Sequence, residues 1–78
     1  MARYTVLLYY EEHVYAALIP VLGVATFGTT VEHALEMAKE AAELHINGLV
    51  EDGEPVLEEE TPPIVASIDV AVPVPATA

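Results

Sequence analysis

Cysteine is absent from the 78-residue chain, and so is tryptophan. The first absence removes disulfides, thiolate metal sites and one class of nucleophile, and it fits a cytoplasmic protein. Serine occurs once, at Ser67, so a serine–histidine–acid set has little to draw on. Positive charge is scarcer still: Arg3 and Lys39 stand against 13 acidic residues, for a formal net charge of −11. Nucleic-acid affinity comes largely from cationic side chains that neutralise phosphates. A surface this acidic repels DNA, RNA and anionic membranes. No run approaches the roughly 20 apolar residues that cross a bilayer. The apolar stretch 4–10 is short, and Glu11, Glu12 and His13 follow it without a small-residue cleavage site.

What is present is apolar and acidic at once. Hydrophobic residues make up 54% of the chain and mean hydropathy is +0.44. A single domain of this size buries only about 60–65% of its unfolded surface. Some apolar surface is therefore expected to be covered by another copy or a partner, in a dimer or tetramer. The acid excess has two readings, solubility alone or attraction of a basic partner.

The strongest local signal is an amphipathic helix from Thr29 to Gly53. Thr29 is the expected N-cap, with Glu32 three residues on completing a capping box. Val31, Leu35, Ala38, Ala42, Ile46 and Leu49 recur at spacings of three and four, flanked by Ala34, Ala41 and His45, against a polar stripe of Glu32, Glu36, Lys39, Glu40, Glu43 and Asn47. Asn47-Gly48 is a possible stop. Leu49 and Val50 continue the apolar face, however, and Asp52-Gly53 offers the better glycine cap.

Before the helix, residues 3–10, 14–19 and 24–27 read as short strands rich in β-branched and aromatic residues. In the first, Tyr4, Val6, Leu8 and Tyr10 share one face, and Arg3, Thr5, Leu7 and Tyr9 the other. The connections, Glu11-Glu12-His13 and a turn at Pro20–Gly23, are short enough to require an antiparallel meander. After the helix, an acidic, proline-bearing connection leads to residues 64–72 (IVASIDVAV), which alternate cleanly and predict a fourth strand. Reached through a helix, that strand should run parallel to the third. The fold class is α+β: a βββαβ order with the helix packed on one sheet face. Residues 1–72 form one domain and 73–78 a flexible tail.

The chemistry-bearing residues are sparse. His13 beside Glu11 and Glu12 reads as a solvated turn, not a metal site, because such a triplet points its side chains apart. His33 and His45 are twelve apart and lack the i, i+4 zinc spacing; His45 reads as a partly buried packing residue. Glu32, Glu36, Glu40 and Glu43 form a solvated like-charge row. Asp69 is the one strand carboxylate and cannot build a two-metal site alone. Tyr4, Tyr9, Tyr10 and Tyr15 lack the cationic groove that base stacking accompanies, so packing and interface roles account for them better. The chain is expected to be no enzyme and to carry no cofactor or metal.

In order and spacing these segments resemble the HicB-like antitoxin domain. Tyr15, Ala17 and Pro20 match its strand end, Gly23 its turn, and Thr26, Gly28 and Thr30 with Glu32-His33-Ala34-Leu35 its helix start. Gly53-Glu54-Pro55 matches the helix exit. Leu22, where proline often precedes the turn glycine, and His33, in place of a second glutamate, depart from the pattern. The likeness spans residues 3–72. It implies a partial ribonuclease-H-like βββαβ unit. It also implies a role in binding and masking a small basic mRNA-cleaving toxin of the HicA type, which has a double-stranded-RNA-binding-like fold. Many such domains continue into an operator-binding segment. The residues here end after the expected fourth strand, so operator binding by them alone is not expected. Tyr9, Tyr10, Glu11 and Glu12, at the acidic turn, are the candidate toxin contacts. The competing reading is an acidic homo-oligomeric interaction module without a toxin.

Overall fold

The computed structural model describes residues 1–75. Three antiparallel strands precede one long helix: β1 (Leu7–Glu11), β2 (Val14–Ile19), β3 (Val24–Gly28) and α1 (Val31–Glu51). The sheet order is β1-β2-β3. Leu8 pairs with Ala17 and Tyr10 with Tyr15 across the first ladder; Ala17 pairs with Thr26 and Tyr15 with Gly28 across the second. The α+β meander-then-helix order is therefore as the sequence predicts. Strand β1 starts later than expected, at Leu7 instead of residue 3.

Strand periodicity sorts the sheet into two faces. One face carries Leu8, Tyr15, Ala17 and Ile19, and the helix packs on it. Tyr4 and Val6, ahead of β1, join the same cluster. The other face carries Leu7, Tyr9, Val14, Ala16, Leu18, Ala25 and Phe27, and among the described residues no helix or strand lies across it. Phe27 remains 61% exposed there.

The helix contacts the sheet through a line of alanines. Ala34, Ala38 and Ala42, one turn apart, are buried against Ala17 and Ile19. This corrects the expected stripe. Ala38 and Ala42 are central and Ile46 and Leu49 half-buried, but Val31 and Leu35 are exposed. The reason is steric. Alanine ends at Cβ, so the axis approaches most closely along the alanine line and the larger side chains fall on its flank. His45 is likewise exposed, not partly buried.

Both helix ends have identifiable caps. The N-cap is Thr30, one residue later than the sequence predicts: its hydroxyl accepts from the His33 N–H at 3.0 Å. His33 Nδ1 accepts from the Thr29 N–H at 3.0 Å, so the histidine fills the role expected of Glu32. The far end passes Gly48 and stops at Asp52, as the glycine cap predicts. Gly53 adopts φ +69°. Its N–H donates to the Val50 carbonyl at 3.1 Å, and the Glu54 N–H donates to that of Leu49 at 2.9 Å. This is the paired bonding of a Schellman motif.

Beyond the helix the chain returns to the start of β1. The Tyr4 hydroxyl donates to the Leu57 carbonyl at 2.8 Å. The Glu59 carboxylate accepts from the Thr5 N–H at 2.6 Å and from its hydroxyl at 2.5 Å. Residues 64–72 are not a strand of this sheet, which among the described residues has three. They run as an exposed extended segment, with Ile64 at 94% and Ile68 at 85% exposure. Proline at 62 and 63 supplies no N–H for a ladder, and Glu59 already occupies the first donor on the β1 side. The segment accounts for a radius of gyration of 16.6 Å, where roughly 11–12 Å suits a compact chain of this length. Of the expected tail at 73–78, residues 76–78 lie outside the described residues.

Candidate partner-binding site

The acidic turn is the tip of the β1–β2 hairpin. Glu11 pairs with Val14, which leaves Glu12 and His13 as a two-residue loop. Both have positive φ, 46° and 70°. A loop of this kind matches the twist of its flanking strands but favours asparagine and glycine. Holding two side-chain-bearing residues there costs about 1 kcal/mol or more each. Backbone strain is thus concentrated at the most acidic turn of the strands.

The four candidate contacts do not form one patch. Tyr9 and Glu11 lie on the open sheet face, in line with Ala16 and Phe27. Tyr10 lies on the helix side, where its ring packs on Tyr15 with centroids 4.8 Å apart at 48°. Its hydroxyl is 3.4 Å from His13 Nδ1. Glu12 projects from the strained loop. All four are exposed. The structure also brings in residues that sequence reasoning left out. Tyr10, His13, Tyr15, Thr29, Thr30 and Glu32 line a shallow cleft of about 360 Å³ between the hairpin tip and the helix start. The spacing of Tyr10 and Tyr15 across a two-residue hairpin was the signal that could have found this pairing.

Electrostatically the site is an exposed acidic rim with aromatic faces on either side. Among the described residues no polar or charged residue is buried, and no group of three or more His, Asp or Glu is placed to hold a metal ion. Such an arrangement can attract and orient a cationic surface and supply tyrosine anchors. No described helix is long and apolar enough to cross a membrane.

The motif residues also have structural reasons to be where they are. Pro20 ends β2, and Gly23 takes φ +67° in the turn that follows. Gly28 lies directly against the helix start, and Gly53 forms the left-handed helix exit. No curated protein and no solved structure matches the chain. A family model described as the HicB-like antitoxin of bacterial toxin–antitoxin systems matches residues 4–72, from the tyrosine packed beneath the helix to the end of the extended segment. With nearly the whole chain matched, the protein belongs to the HicB-like antitoxin family.

Proposed function

We propose that this protein binds a small basic RNA-cleaving toxin of the HicA type and masks its RNA-binding surface. Family membership over residues 4–72 carries the reading, and the charge of −11 supports it. An RNA-cleaving partner must itself be basic to hold phosphates, and an acidic surface raises the rate and selectivity of that encounter. Glu11 and Glu12 supply charge at the hairpin tip, with Tyr9 and Tyr10 as aromatic anchors. The protein works in the cytoplasm, where mRNA is cleaved, and its three-stranded meander and helix form part of a ribonuclease-H-like unit.

Co-expression with the small basic protein encoded beside it, followed by affinity capture and a growth assay, tests the proposal. The expected result is a salt-sensitive complex and relief of the partner's toxicity. Failure to form a complex with any such neighbour at low salt would overturn it.

A further inference from the structure

The outer edge of β1 is flanked by unfilled space on both sides of the sheet. On the open face, Thr5, Leu7, Tyr9, Pro20 and Val21 line a cavity of about 480 Å³. On the helix side, Tyr4, Val6, Ile19, Leu35, Ala42 and Ile46 line another of about 280 Å³. A strand added along this edge would send alternate side chains into the two cavities. Residues 64–72 have that alternation: Ile64, Ala66, Ile68, Val70 and Val72 on one side, the smaller Val65, Ser67, Asp69 and Ala71 on the other. The large aliphatic series suits the helix side, where Leu35 is left uncovered.

Within its own copy the segment does not reach that position. Glu59 is held on Thr5. After Pro62 and Pro63, only the first residues, Ile64, Val65 and Ala66, border the open-face cavity, and the remainder is solvent-exposed. Among the described residues, each copy thus presents a β1 edge with unfilled flanks and an exposed apolar extended segment.

We infer that residues 64–72 of one copy pair along the outer edge of β1 of a second copy, reciprocally, in a closed dimer. Charge selects a second copy over a basic partner at this surface. Residues 1–10 contain no acid and 61–75 contain only Asp69; of the acids that border the two cavities, Glu59 is engaged by Thr5 and Glu43 shares its lining with Lys39. A cationic protein would therefore gain little here, whereas two chains of charge −11 meet at least cost where acids are few. Reciprocal exchange also uses the same two surfaces on both copies, which is what a closed two-fold interface requires. Glu12 and His13 at the hairpin tip stay outside it.

Two measurements on the 78-residue chain test this. In a mixture of isotope-labelled and unlabelled protein, filtered NMR contacts should join the Ile64, Ile68 and Val70 methyl groups of one molecule to Tyr4, Val6 and Leu35 of another. Sedimentation should give twice the chain mass. Ile68→Asp combined with Val70→Asp alters residues that are 85% and 68% exposed in the protomer, so the helix signal should persist in far-ultraviolet circular dichroism. The dimer dissociation constant should rise about 100-fold or more, as expected for burying two carboxylates. A monomeric parent chain, contacts confined to single molecules, or a double variant as dimeric as its parent would each overturn the inference.

Discussion

Gly28 at the end of β3 lies so close to Ala34 in the first turn of α1 that no side chain fits between them. A Cβ built on Gly28 would stand 2.5 Å from the Ala34 Cα and 2.8 Å from the His33 carbonyl carbon. Both neighbours are backbone, so neither can swing aside. Ala34 itself is fully buried. This contact sets how near the helix can lie to the sheet.

Gly28→Ala should therefore destabilise the protein by about 2–3 kcal/mol or more, through forced displacement of the helix start. Denaturant unfolding measures it directly. A loss under about 0.5 kcal/mol would mean that the strand–helix junction yields at little cost, contrary to the geometry.

The hairpin tip predicts the opposite sign. Replacing Glu12 with Asn and His13 with Gly matches residue type to the positive φ at both positions and should raise stability by about 1 kcal/mol or more. The same pair of changes removes a carboxylate from the proposed toxin-binding surface. Thermal unfolding and toxin affinity should move in opposite directions, the fold becoming firmer as association slows. Unchanged stability would show that the strain is offset by contacts such as Tyr10 with His13.

Helix capping gives a third test. Thr30→Ala removes the acceptor for the His33 N–H and should cost about 1 kcal/mol. Thr29→Ala should cost less, because its backbone N–H still donates to His33. If Thr29→Ala proves the more damaging, the N-cap lies one residue earlier.

For partner binding, Glu11→Lys with Glu12→Lys should weaken toxin capture at low salt by about tenfold or more, chiefly by slowing association. The folded state should survive, since both side chains are exposed. Equal affinity for the parent and the charge-reversed protein would remove the hairpin tip from the interface.

Much of this was legible in the residues. Gly53 and the apolar Leu49-Val50 pair marked the helix end because the left-handed cap needs glycine. The strand faces followed from alternation through Tyr4, Val6 and Leu8. Three features were not legible. The capping role passed from Glu32 to His33 because a ring nitrogen can accept the same bond, which propensity does not register. The buried helix line shifted to Ala34, Ala38 and Ala42 because closeness of approach outweighed hydrophobic size, so Leu35 read as core and lies on the flank. Residues 64–72 carry a clear strand pattern, but pattern specifies a preference for pairing and not which edge accepts it. At the site, Tyr9, Tyr10, Glu11 and Glu12 are all exposed. Their division between two sheet faces follows directly from strand parity.

The alanine line also bears on how the protein responds to temperature. Alanine has no rotamers to lose when it is buried, so a core of Ala17, Ala34, Ala38 and Ala42 around Ile19 forms with almost no side-chain ordering. It also withdraws little hydrocarbon from water, and the heat-capacity increment of unfolding scales with that area. Stability should consequently change only gradually between cold and warm conditions, with a broad calorimetric transition in place of a sharp one.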